Sequence, residues 1–171
     1  MPFEFIILNM IQDIRTPLLD GIVLYITELA SYIWYILIVA LLVRRSSRKL
    51  GVVLAVAMIF QYLVNGGILK HLFERVRPCN IDYTVELLIK RPKGFSFPSG
   101  HSAAAFSAVA VLYGARIKSL FWPVLVLAIL IAFSRLYLYV HFPTDVLAGA
   151  ICGFIVGYSV WSIFEKLKWN K

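Results

Sequence analysis

Charge is what this sequence has least of. Only 15% of its 171 residues are Asp, Glu, Lys or Arg, against 61% hydrophobic, and the mean hydropathy is +0.83. A soluble domain is about one-quarter charged and about half apolar, and so short a chain cannot hide this excess in one core. A soluble globule is excluded, and so is disorder, which needs the opposite composition. Cysteine is nearly absent: Cys79 lies in a polar stretch and Cys152 in an apolar run, which suits neither a disulfide nor a metal motif. Acids are scarce, nine against 17 Lys and Arg, for a formal charge of +8. The basic surplus forms no stripe with interleaved aromatics, which argues against nucleic acid as a partner. No basic segment and small-residue cleavage site flank a short apolar run at the N-terminus, so no cleaved signal peptide is expected. These absences leave a polytopic membrane protein, with residues 1–171 as one domain by length.

Long runs free of charge mark the spans. They cover residues 51–69, 94–115, 119–134 (extendable past Arg135 to 140) and 146–164. A helix crossing ~30 Å of hydrocarbon needs roughly 20 residues. A further span must begin near Leu18 or Gly21, end at Val43 and carry Glu28. Residues 3–14 are apolar but too short to cross, and Thr16-Pro17 separates them from that span. The expectation is an all-α bundle of about five spans preceded by an interfacial helix. Arg44, Arg45, Arg48 and Lys49, then Arg116 and Lys118, then Lys166, Lys168 and Lys171 fall on one side of such a bundle. The positive-inside rule makes that side cytoplasmic and puts residues 70–97 and 140–145 outside. The outer stretch also holds Lys70, Arg75, Arg77, Lys90, Arg91 and Lys93, an exception that a binding role would explain.

Three clusters come to that outer face. Lys70 and Arg77 stand two helical turns apart, before Pro78. Converging cations suit an oxyanion, although snorkelling basic residues at a helix end look the same. Pro98-Ser99-Gly100-His101 opens a run of small residues. A capped helix start with free N–H groups makes an anion site, with His101 beside it as a proton donor. An ordinary cap with an interfacial histidine is the plainer alternative. Arg135 lies late in an apolar run, where a charge is expensive, and His141 and Asp145 are four residues apart. A carboxylate on one ring nitrogen would leave the other free to attack; a structural ion pair with Asp145 as a capping acid is the alternative. One carboxylate is too few for a magnesium or calcium cage, and zinc is disfavoured because both histidines have better uses.

The combined pattern, Lys70-x6-Arg77-Pro78, Pro98-Ser99-Gly100-His101 and Ser134-Arg135-x5-His141-x3-Asp145, resembles the three-part signature of the type-2 phosphatidic acid phosphatases, the lipid phosphate phosphatases. The resemblance implies a metal-independent membrane enzyme of the cell envelope that needs no cofactor. It implies His141 as the nucleophile forming a phosphohistidine, Asp145 as its orienting group and His101 as the general acid. Lys70, Arg77, Ser99, Gly100 and Arg135 would bind phosphate. Family members commonly have six spans, and the expectation of about five here corresponds to that bundle without its first. The partners implied are a lipid phosphate and the bilayer, with no obligate protein partner and the site facing outside or the periplasm. Undecaprenyl diphosphate and phosphatidylglycerol phosphate are the favoured substrates. A lipid A phosphatase, a phosphotransferase and a non-catalytic lipid-phosphate binder remain as alternatives. Outside the motifs, His71 reads as an interface residue. Phe95, Phe97, Tyr137 and Tyr139 could line a lipid entrance or form an aromatic belt.

Overall fold

The computed structural model describes residues 2–167, and among them every regular element is helical. Helix α1 (Pro2–Asp13) precedes α2 (Pro17–Val43). Helix α3 (Arg48–Gln61) runs through a π-helical stretch, Tyr62–Leu69, into the short α4 (Lys70–Phe73). After a loop come α5 (Gly100–Gly114), α6 (Lys118–Tyr137) and α7 (Pro143–Lys166).

Local chemistry accounts for these boundaries. Thr16 caps α2 by accepting from the Leu19 N–H (3.3 Å), with Pro17 at the first helical position. The expected break and the short separate helix before it are therefore present. Helix α1 buries Leu8 and Glu4 and leaves Phe3, Ile6 and Met10 exposed, an amphipathic face suited to the bilayer surface.

Four helical segments among the described residues are long and apolar enough to cross a membrane: Pro17–Val43, Arg45–Asn80, Lys118–Tyr137 and Pro143–Lys166. The span expected to open at residue 94 differs. Its helix begins only at Gly100 and is 15 residues long, about 22 Å at the usual rise. Gly94 takes a left-handed φ of 77° and Ser99 is the cap, so an uncharged run did not mean a continuous helix. A short helix suffices because α5 is the centre of the bundle, with Ala103, Ala105, Ala108 and Ala110 fully buried. Non-helical backbone at its outer end is tolerated where protein surrounds it.

The tightest helix pair is α5 on α7. Gly149, Gly153 and Gly157, one turn apart, face Ser99, Ala103 and Ser107 of α5, and a Cβ on any of the three would collide with the opposing carbonyl. Small residues at four-residue spacing are how membrane helices approach this closely. This contact sets the starts of α5 and α7 side by side, and the Ser99 N–H donates to the Asp145 carbonyl (2.9 Å). At the far end, Arg45, Lys49, Ile117 and Glu165 line one recess, which gathers the basic ends of three loops on the side away from Ser99. Lys168 and Lys171, expected there too, lie outside the described residues.

Candidate active site

All three sequence clusters converge where α4, α5 and α7 begin or end. Arg77 is buried, held by its Nε donating to the Gly94 carbonyl (3.1 Å) and its Nη1 to the Val140 carbonyl (2.9 Å). The same Nη1 stands 3.1 Å from His141 Nε2. Lys70 donates from Nζ to the Phe95 carbonyl (2.7 Å). Ser99 is fully buried, and its Oγ accepts from the Ser102 N–H (3.4 Å) and hydroxyl (3.0 Å). Lys70, Arg77, Gly100, His101 and His141 all border one cavity of about 730 Å3, which continues between α2 and α3 along Trp34, Ile38 and Met58. A cationic, histidine-bearing end thus opens into an apolar groove.

Arg135 is placed differently. It is 2% exposed, and its guanidinium donates to Ser134 Oγ (2.9 and 3.1 Å) and to Thr27 Oγ1 on α2 (2.6 Å). It stands behind the cavity wall, not among the residues that line it.

His141 is 3% exposed, with Nδ1 lying 3.5 Å from Asp145 Oδ2 and 3.4 Å from Ser96 Oγ. Nδ1 therefore faces protein groups, while Nε2 faces Arg77 and the cavity. Burial pushes the His141 imidazole down to about 4; the bond to Asp145 pulls the other way and nearby Arg77 adds to the fall. The ring is neutral at neutral pH, the form in which Nε2 carries a lone pair, here directed at the Arg77 guanidinium.

Asp145 is shared more widely than its spacing to His141 suggested. Its Oδ2 accepts from the Phe142 N–H (2.8 Å) and from the Ser96 hydroxyl, and its Oδ1 from Arg75 Nη1 (2.7 Å). The capping alternative and the dyad geometry are thus both present in one carboxylate. Arg75 also donates to Thr144 Oγ1 (2.6 Å) and pairs with Glu4 of α1 (2.5 Å), which accepts from the Thr144 hydroxyl (2.6 Å). Burial works against the charge on Glu4, but the bonds from Thr144 and Arg75 prevail and hold its carboxyl below the usual range. Ser96, Glu4, Thr144 and Thr27 escaped the sequence reading as site residues, and Arg75 stood there only among the outer cations.

Tyr137 and Tyr139 correct an expectation. They form neither a lipid entrance nor a belt: they are 1% and 0% exposed, with hydroxyls donating to Asp20 (2.7 Å) and Asn9 (3.0 Å). Both rings pin α1 and α2 to the turn that carries His141. Phe97 packs edge-on to Phe73 (4.7 Å), and exposed His71 packs on Phe95 (5.8 Å). Arg91 lies over the Tyr83 ring, 4.5 Å from its centre.

The model of the PAP2 superfamily matches residues 49–169, about seven-tenths of the chain and all three clusters. The chain belongs to this superfamily. Undecaprenyl-diphosphatase BcrC of Bacillus subtilis is 30% identical over 90% of this chain and 79% of its own length. Among solved structures, Aquifex aeolicus LpxE superposes with a TM-score of 0.81 at 30% identity, covering 92% of this chain and 94% of its own. The PAP2-type phosphatidylglycerolphosphate phosphatase of Bacillus subtilis gives 0.82 at 30% identity, over 98% and 87%. The PAP2 fold here is thus a membrane-embedded bundle in which Lys70, Arg77, Gly100, His101 and His141 meet at one end of an apolar groove.

Proposed function

We propose that this PAP2 protein is a single-domain, metal-independent lipid phosphatase that removes the terminal phosphate of a lipid phosphomonoester or diphosphate. The observation that carries this reading is the position of His141: Nδ1 faces Asp145, and Nε2 faces the cationic end of an apolar groove. A groove of that polarity suits a charged head on a long hydrocarbon tail.

In the first step His141 Nε2 attacks phosphorus in line, a P–N bond forms and the P–O bond to the lipid breaks. His101, on the same cavity wall, gives its proton to the leaving oxygen. In the second step His101 takes a proton from water, whose oxygen attacks phosphorus and breaks the P–N bond. Asp145 holds the imidazole through Nδ1 and stabilises its positive charge as the bond forms. Lys70, Arg77, the Ser99-Gly100 helix start and, from behind the wall, Arg135 offset charge on the equatorial oxygens. Undecaprenyl diphosphate and phosphatidylglycerol phosphate are the favoured substrates, in line with the relatives that hydrolyse them. The site faces the outside of the cell membrane.

The test is release of inorganic phosphate by purified protein from a panel of lipid phosphates in excess EDTA. Wild-type protein should turn over, His141→Ala should not, and labelled phosphate trapped on the protein should be acid-labile. Activity lost in EDTA and restored by a divalent ion, or full activity in His141→Ala, overturns the reading.

A further inference from the structure

One side chain in the groove has no part in the phosphate chemistry. Asn65 is 2% exposed, it borders the cavity that ends at His101 and His141, and neither Nδ2 nor Oδ1 has a hydrogen-bond partner among the described residues. Burying an amide with both ends unpaired is costly, and native structures seldom do so without a use for it. The backbone is also arranged around this residue. Asn65 lies in the π-helical stretch Tyr62–Leu69, and the Lys70 N–H reaches back five residues to the Asn65 carbonyl. In an α-helix, residues five apart point about 140° away from each other. An i→i+5 turn brings them toward one face, and such turns often mark functional sites. Lys70 and Asn65 thus both border the same cavity, with Asn65 one turn deeper.

We infer that Asn65 is a specificity-determining residue that donates its side-chain N–H to an ester carbonyl of an acylated glycerol phosphate lipid. The inference rests on the phosphatase reading above and narrows its substrate class. Phosphate is already met by Lys70 and Arg77 at the mouth, so a group one turn deeper meets the part of the lipid next to its phosphate. In an acylated glycerol phosphate, a carbonyl acceptor lies a few bonds from phosphorus, at the start of the tails. A polyprenyl tail offers only hydrocarbon there and would leave the amide unpaired. Sites that hydrogen-bond a substrate group discriminate strongly against analogues lacking it.

The test compares kcat/KM in mixed micelles for a diacyl glycerol phosphate lipid and its diether counterpart, which has no ester carbonyl. Wild-type protein should favour the ester by about tenfold, the worth of one well-placed hydrogen bond. Asn65→Leu should bring the ester-to-ether ratio near one, mainly by raising KM for the ester. Its Tm should hold or rise, because no protein partner is lost. An unchanged ratio overturns the assignment, as does a loss confined to prenyl diphosphates, which would mean that the amide serves the inner phosphate. A fall in Tm with equal loss on both lipids reveals a structural residue and also overturns it. If wild-type protein releases phosphate from no lipid, the phosphatase reading fails and takes this one with it.

Discussion

The His141 environment makes a pH prediction with a definite sign. Attack requires the unprotonated ring, and burial holds the imidazole down to about 4, below the ordinary value of about 6.5. Once the substrate phosphate's own titration near pH ~6 is divided out, the acid limb of kcat/KM, which belongs to His141, should come only toward about 4. The loss toward higher pH is set by the proton that His101 must carry. The bond to Asp145 pulls the imidazole upward, so Asp145→Asn should lower kcat yet move the acid limb to still lower pH. A limb that moves up in that variant contradicts the arrangement. Arg75 reaches the chemistry only through Asp145 and Thr144. Arg75→Ala should therefore lower kcat about 10- to 100-fold with little change in KM, whereas Arg77→Ala should also raise KM. Steady-state kinetics separates the two, and a KM-dominated loss in Arg75→Ala would place it on the substrate instead. The motif residues were legible because each cluster is local, with spacings that fit a helix start or a helix end. Arg75's partners were not, since Glu4 lies 71 residues away and Asp145 70, and no local spacing signals such pairs. Arg135 was legible as an expensive charge, but its partner Thr27 was hidden 108 positions away.

Among the helices, α5 and α7 decide whether the two histidines meet. The Gly149, Gly153 and Gly157 face lets the α7 backbone lie against the α5 carbonyls, so a side chain there must push against backbone, which cannot yield as a side-chain tip can. Gly153→Leu should cost about 3 kcal/mol or more, read as loss of monodisperse protein in detergent and loss of turnover. Gly21→Ala is the control, since nothing lies within 4 Å of an added Cβ there. It should gain up to about 1 kcal/mol of helix propensity. A tolerated Gly153→Leu would mean that the helices separate without consequence for the site. The four-residue glycine spacing is visible in the sequence, yet small residues identify an interface only once the facing helix is known. Span ends were legible where proline and a cap residue mark them, as at Thr16-Pro17. At residues 94–99 they were not, because a missing charge says nothing about backbone conformation.

Taken whole, the molecule is polarised. Arg44, Arg45, Arg48, Lys49, Arg116, Lys118 and Lys166 lie at the end away from the histidines, close to helix ends, where positive-inside bias acts most strongly. The other end holds cations as well: Lys70, Arg75 and Arg77 are committed to backbone carbonyls or carboxylates within the site, and Lys90, Arg91 and Lys93 lie in the loop between α4 and α5. The first three are fixed by function, and against the remaining three the far loops carry seven. The expected orientation puts the far loops in the cytoplasm, with the histidines, the loop between α4 and α5, and α1 outside. Exposed Phe3, Ile6 and Met10 on α1 then rest on the outer leaflet, the one from which substrate would enter between α2 and α3. The test is labelling of intact cells with an impermeant thiol reagent, on a variant lacking Cys79 and Cys152. A cysteine replacing Lys90, exposed on the site side, should react, and one replacing Ser46, exposed on the far side, should react only after permeabilisation. Labelling of the Ser46 position with protection at Lys90 would invert the protein and move its substrates to the cytoplasmic leaflet. The catalytic geometry would be untouched, because that geometry is set by contacts within the bundle and not by the side it faces.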